Sequence, residues 1–187
     1  MRWEALFGDM EAQLAAAASL DVESEITERV RMELVSVTLQ DRLRRQQGKR
    51  LVLDMGTAGI LQGDLRYVGQ GWIALDDGGR SVLAVLGHVV SIRGLDRFSA
   101  PAPETVQLGL ASALRSIARD RAAVTIRSAG AAAGNAVHGI IDRVGADFLE
   151  VAAVASGQPR RAGNVSGVYV LPTASVSAVL SRDGGWD

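Results

Sequence analysis

The residues best suited to chemistry are five positively charged side chains in the stretch QDRLRRQQGKR, namely Arg42, Arg44, Arg45, Lys49 and Arg50. Cations spaced this closely can neutralise the phosphates of a nucleic acid. They also lie at the end of a predicted helix, where positive charge stabilises the negative end of the helix dipole. The stretch is therefore a candidate RNA-binding site, and stabilisation of the helix end is the alternative.

A second basic pair, Arg160 and Arg161, falls in the stretch SGQPRRAGN, which is predicted to be a polar hairpin loop. Binding residues are often found on such loops, because a rigid scaffold presents them at the surface. Arginines at a loop tip can equally contact water alone. We take both residues as candidates for contact with nucleic acid, with a solvated tip as the alternative.

The remaining reactive residue types are too scattered to build a catalytic or metal site. The chain has two histidines, His88 and His138, and neither has the second histidine or paired carboxylate that metal binding or proton relay requires. The aspartates are spread singly along predicted strands and turns. We therefore expect no catalytic residue, no metal and no cofactor, and an enzyme with an unrecognised site remains an alternative.

Composition narrows the class of protein. The chain has 187 residues, 48% of them hydrophobic, and a net charge of −1, which argues against nucleic-acid binding through overall positive charge. It has no cysteine, which suits a reducing compartment. Acidic residues interrupt the first twenty positions, where a signal peptide would be apolar, and no apolar run approaches the roughly 20 residues that span a bilayer. We expect a cytoplasmic protein without membrane association.

The N-terminal segment is predicted to be helical. Apolar residues recur at spacings of three and four and so share one helix face; they are Trp3, Leu6, Phe7, Met10 and Leu14. This face is a candidate contact for a partner helix. A second helix is predicted over 23–47, ended by Gly48. The first helix is acidic and the second ends in basic residues, which favours helix pairing within or between chains.

From Arg50 onward, the period of the apolar residues changes to the alternation that is typical of strands. Five strands are predicted at 50–55, 59–67, 71–76, 80–86 and 89–94. Pro101 and Pro103 mark a linker, and a helix is predicted over 105–119. Five further strands are predicted at 123–128, 136–144, 147–154, 165–172 and 175–180.

The two strand sets contain nearly the same phrase, QGDLRYVGQGWIAL at 62–75 and HGIIDRVGADFLEV at 138–151. Gly63 aligns with Gly139, and we expect both to let a strand bend sharply. Gly69 aligns with Gly145, and we expect both to adopt the positive φ of a tight turn. The pattern predicts one folding unit that was copied within the chain, and a chance likeness of two hairpins is the alternative.

This phrase, preceded by a helix and followed by short strands, resembles the Sm-like family of small β-barrels, which includes Hfq-like proteins. The resemblance covers about 25–96 and 104–181, and the chain is also similar to bacterial proteins of GC-rich lineages. It implies barrels that associate through their fourth and fifth strands, and RNA as a candidate partner. The turns Gly69-Gln70-Gly71 and Gly145-Ala146-Asp147 lack the base-binding asparagine of RNA-binding Sm proteins.

The sequence therefore predicts an α+β protein with N-terminal helices and two tandem five-stranded Sm-like barrels, each preceded by a helix. The predicted units are an N-terminal helix at 1–24, a helix and barrel at 25–98, a helix and barrel at 99–182, and a tail at 183–187. We expect a homo-oligomer that acts as a non-catalytic protein-binding adaptor. The alternatives are an RNA-binding regulator that uses 42–50, and a small-molecule binder or enzyme with a site between the barrels.

Overall fold

The computed structural model describes residues 37–100, 107–131, 135–155 and 160–181. Apart from Val37 and Thr38, these residues belong to one compact unit that begins at Leu39. The predicted N-terminal helix with its apolar face, most of the helix predicted over 23–47, and the tail at 183–187 lie outside the described residues. Within the described ranges, no helix has the length and apolar character needed to cross a membrane.

The described residues form two α-helices and ten β-strands. The first half holds α1 (Leu39–Arg44), β1 (Arg50–Asp54), β2 (Ile60–Val68), β3 (Trp72–Asp76), β4 (Ser81–Val85) and β5 (Ser91–Arg93). The second half holds α2 (Leu110–Arg119), β6 (Ala123–Ser128), β7 (Val137–Val144), β8 (Phe148–Val154), β9 (Val165–Pro172) and β10 (Val176–Ser181). All ten predicted strands are therefore confirmed. The helix predicted over 105–119 is confirmed from Leu110 onward, and residues 107–109 are not helical.

All ten strands belong to one antiparallel sheet, in the order β5-β1-β2-β3-β4-β10-β6-β7-β8-β9. The pairing order of the first five strands recurs in the second five. β2 and β7 also carry a register shift at the same place, between Leu65 and Tyr67 and between Ile141 and Arg143. The two halves meet where β4 pairs with β10.

The prediction of two tandem barrels is wrong. In the described chain, β5 pairs with β1 and β9 pairs with β8, and neither β4 with β5 nor β9 with β10 forms a ladder that would close a half on itself. The outer hydrogen bonds of β4 go instead to β10, so that the ten strands form a single open sheet. Alternating apolar residues predict where strands are, but they do not show which strand takes which partner.

Two apolar cores lie on opposite faces of this sheet. In β3, Ile73 and Leu75 pack into a core with Leu43 of α1, whereas Trp72 and Ala74 pack into a second core. Successive side chains of a strand point to opposite faces, so these neighbours separate the two cores. α2 covers the second core with Ala113, Leu114 and Ile117. β3, β4 and β10 are therefore buried on both sides.

Gly69 and Gly145 must be glycines because a neighbouring aromatic ring leaves no room for a Cβ atom, not because of their φ angles. Gly69 and Gly145 do not have positive φ, so the predicted tight-turn role is wrong. A Cβ on Gly69 would lie 2.3 Å from the Trp72 ring, and one on Gly145 would lie 2.4 Å from the Phe148 ring. Each glycine also donates its backbone N–H to the carbonyl of that aromatic residue, at 2.9 and 2.8 Å. The aromatic ring folds back over a residue that must have no side chain.

Gly139 allows a close approach between β7 and β8. A Cβ at this position would lie 2.1 Å from the backbone oxygen of Ala152. Gly63 occupies the corresponding place in β2, where a Cβ would lie 2.7 Å from the backbone oxygen of Asp76. A side chain at either position would push two paired strands apart.

We predict that Gly139→Ala lowers the free energy of unfolding by about 2–3 kcal/mol, because the added methyl group overlaps a backbone atom that cannot move alone. Gly167→Ala in β9 is the matched control, since nothing lies within 4 Å of its Cβ position. The control should change stability by less than about 0.5 kcal/mol. Urea unfolding checks both values, and equal effects of the two substitutions would contradict the close approach.

Candidate functional site

Most of the basic residues between 42 and 50 contact acceptors within the protein. Arg44 forms an ion pair with Asp41 one turn earlier in α1, and its other terminal nitrogen donates to Gln107 Oε1 at 3.0 Å. Arg50, at the start of β1, lies 3.1 Å from Asp77 and 3.9 Å from Asp64. These contacts tie the end of α1 and the start of β1 to neighbouring segments.

Asp96 is the centre of the remaining contacts of this cluster. Its carboxylate accepts hydrogen bonds from Lys49 Nζ at 2.6 Å, from the Phe98 backbone N–H at 2.9 Å and from the Gln46 side chain. Arg42 donates to the backbone oxygen of Asp96. The hydrogen bond from Lys49 is the largest cause that lowers the pKa of Asp96 from 3.8 to about 2. The loop after β5 is thereby fastened to the residues that follow α1.

Arg45 differs from the other four cations of the cluster. It is exposed, and its side chain makes neither an ion pair nor a hydrogen bond with the described residues. A single exposed guanidinium is a weak phosphate site. The contacts of the other four cations hold neighbouring segments together, and RNA binding at 42–50 stays a prediction.

The second basic pair is also partly engaged. Arg160 donates from Nε and Nη2 to the two carboxylate oxygens of Asp142, at 2.6 and 2.5 Å. This bidentate contact is the main cause that lowers the pKa of Asp142. Arg161 is exposed. None of the contacts within the described ranges brings this pair together with the 42–50 cluster.

Strand β9, at one edge of the sheet, has three consecutive exposed residues with large apolar side chains. Val168, Tyr169 and Val170 are 59%, 50% and 62% exposed. The strand is eight residues long and, among the described strands, pairs with β8 alone. An edge strand presents unpaired backbone N–H and C=O groups that can pair with another chain. Sequence reasoning located this strand and missed its exposure, since the run GVYVLP has the composition of a buried strand.

The other edge of the sheet is β5. This strand has three residues, pairs with β1 over Ser91, Ile92 and Arg93, and follows Val90, which is 70% exposed. The two edges therefore carry apolar side chains and backbone groups without a second strand partner in the described sheet. They form the candidate interaction site.

No protein-family model matches this sequence, and a comparison with the curated proteins found no match either. The resemblance to the Sm-like family rests on the motif residues alone and stays a prediction.

We predict that Asp96→Asn destabilises the protein above pH 3.8 and that this difference from the wild type shrinks as the pH falls towards 2. The folded-state pKa of Asp96 is lowered, so the charged carboxylate stabilises the fold above its unfolded pKa and loses that effect when protonated near pH 2. Urea unfolding across this range checks the trend.

Asp147→Asn is the control for Asp96→Asn, because it removes the same charge from an exposed side chain for which the described structure shows no contact. A difference between wild type and Asp96→Asn that stays constant down to pH 2 would show that the contacts of this carboxylate do not stabilise the fold.

Proposed function

We propose that this protein is a non-catalytic scaffold that associates with copies of itself and binds partner proteins by strand addition. The exposed apolar edge strand β9 is the observation that carries the proposal. Added strands gain main-chain hydrogen bonds for affinity and pockets for alternate side chains for specificity. The absence of cysteine supports a place in a reducing compartment such as the bacterial cytoplasm.

A second copy of this chain can pair with the β9 edge, because the sheet already contains an equivalent pairing between its two halves. β9 occupies the place in the second half that β4 occupies in the first, and β5 occupies the place of β10. β4 pairs with β10 inside the chain. β9 of one copy can repeat that pairing with β5 of another copy.

The strand registers specify which residues would meet. Ala74 lies two residues after Trp72 and pairs with Leu83. Glu150 lies two residues after Phe148 and pairs with Val170. Because Trp72 and Phe148 hold the same place in the two halves, Leu83 corresponds to Val170.

The same comparison applies to the other strand of the pair. Ile126 lies two residues after the partner of Gly139 and pairs with Val179. Leu53 lies two residues after the partner of Gly63 and pairs with Ile92. Gly139 and Gly63 are aligned, so Ile126 and Leu53 hold the same place in the two halves. Ile92 therefore corresponds to Val179. Because Val179 pairs with Leu83, Ile92 of one copy is expected opposite Val170 of another.

The pairing of β9 with β5 joins unlike surfaces, so each added copy leaves one β9 and one β5 free at the ends. Such a contact generates a closed ring or an open filament, depending on the rotation between copies. An edge that is not occupied by a second copy stays available to a strand from a different protein. Self-association and adaptor activity therefore use the same surface.

We predict that the single variants Ile92→Cys and Val170→Cys form a disulfide-linked heterodimer when mixed under oxidising conditions, because facing positions in paired strands lie within disulfide range. The chain has no native cysteine to interfere. Non-reducing electrophoresis of the mixture checks this. Ile60→Cys replaces Val170→Cys in the control mixture, since Ile60 is 63% exposed and lies within β2. Equal crosslinking in both mixtures would contradict the register.

We also predict that the double variant Val168→Lys, Val170→Lys shifts the protein from oligomer to monomer, because charged side chains on an edge strand oppose the addition of another strand. Light scattering after size exclusion measures the mass. Ile60→Lys is the matched control and should leave the mass unchanged. A wild-type protein that stays monomeric at high concentration would remove self-association from the proposal.

A further inference from the structure

A groove of about 1480 Å³ lies along the second half of the sheet. Its apolar lining includes Ala123, Ile140, Val154 and Leu180, which come from β6, β7, β8 and β10. The volume exceeds the roughly 300–1,000 Å³ of common small-ligand sites, so it has room for an extended apolar group. The groove borders the β9 edge through Tyr169, and no residue of the basic stretch at 42–50 lines it.

The strand registers explain how polar groups reach this groove. Ala123, Thr125 and Arg127 lie at alternate positions of β6 and so share one face, while Val124 and Ile126 between them pack into the core that α2 covers. Thr125 pairs with His138 of β7. The groove therefore lies on the face of β6 and β7 turned away from α2.

The charged lining of the groove has one sign. Arg80, Arg121 and Arg127 line it, and no aspartate or glutamate is among its described lining residues. The whole chain has a net charge of −1, so this is a local excess of positive charge. Clefts lined by one sign of charge concentrate ions of the opposite sign.

The three arginines keep donor capacity for a ligand. Arg80 is exposed and forms no ion pair within the described ranges. Arg127 donates one terminal nitrogen to the Ala58 backbone oxygen at 2.9 Å, which holds its side chain in place. Arg121 lies 2.9 Å from Asp142 and has a side chain that is 58% exposed. A guanidinium carries five N–H donors, so one such contact leaves others available.

His138 adds a further oriented group. Its Nδ1 lies 2.9 Å from Thr125 Oγ1, and both residues line the groove. When the threonine hydroxyl donates this hydrogen bond, the ring proton of neutral His138 lies on Nε2. That nitrogen is then a second type of donor to a ligand oxygen.

We propose that this groove binds an amphipathic anion, with a carboxylate or phosphate head held by Arg80 and Arg121, which precede β4 and β6 at the same end of the sheet, and an apolar chain held against the aliphatic lining. The planar fork of arginine matches both head groups bidentately. A bare phosphate would leave the aliphatic lining unused, and a neutral apolar ligand would leave the remaining guanidinium donors unused. The chemistry of the lining therefore favours both parts in one ligand.

Isothermal titration calorimetry with four probes tests the proposal on the full-length protein. Octanoate and octyl phosphate carry the two head groups on one chain, octyl glucoside replaces the charge with a neutral head, and inorganic phosphate lacks the chain. We expect saturable binding of at least one anionic probe, with octyl glucoside and inorganic phosphate each about tenfold weaker or more. The ratio of octanoate to octyl phosphate affinity identifies the preferred head group.

Two arginine variants with the same change of charge locate the binding. Arg80→Ala should weaken the anionic probe by about fivefold to twentyfold, because a charge-assisted hydrogen bond is lost. Arg45→Ala should leave the affinity unchanged, since Arg45 is exposed and does not line the groove. Equal affinity for octyl glucoside, equal effects of the two variants, or no saturable binding of either anionic probe would each overturn the proposal.

Discussion

The pairing of β4 with β10 is the interaction on which the rest of the structure depends. Four residue pairs join these strands, from Ala84 with Ala178 to Ser81 with Ser181. Both strands are buried on both faces, because the core of α1 lies on one side and the core of α2 on the other. Without this ladder, ten strands could not form one sheet, and each half would expose a strand whose apolar side chains now lie inside.

The same pairing determines what the two edges of the sheet can do. Strands β4 and β10 each have a paired strand on both sides. In the part of the chain that the structure describes, β9 and β5, which hold the corresponding places, have a paired strand on one side only. Natural proteins commonly protect an edge with charges, prolines or short strands. β5 is short, but β9 has eight residues and three consecutive exposed apolar side chains. Among the described residues, Pro172 at the end of β9 is the one such protection of this edge, and the exposed residues before it suit the strand addition proposed above.

Local features of this fold could be predicted from the sequence because they depend on neighbouring residues. Alternating apolar side chains located all ten strands, and the apolar spacing after the prolines located α2. The partners of the strands could not be predicted, since alternation is satisfied equally by a closed barrel and by an open sheet. The likeness of the two halves was visible, yet the hydrogen bonds from β4 to β10 depend on segments far apart in sequence.

In the candidate sites too, the residue types could be read from the sequence, whereas their contacts with distant segments could not. Five cations between 42 and 50 suggested a phosphate site, but Asp96 and Asp77 lie far along the chain and only the fold brings them to Lys49 and Arg50. The exposed edge was missed because Val168, Tyr169 and Val170 have the composition of a buried strand. The arginines of the groove were missed because Arg80 and Arg121 come from different halves and line the same groove only because β4 and β6 both pair with β10.

Backbone hydrogen exchange, followed as a function of protein concentration, tests the central claim most directly. Pairing of β9 with β5 between copies predicts that amides of both edge strands become protected as concentration rises, while amides of β4 and β10 are protected throughout. Fast exchange of β9 amides that does not change from low to high concentration would contradict the account.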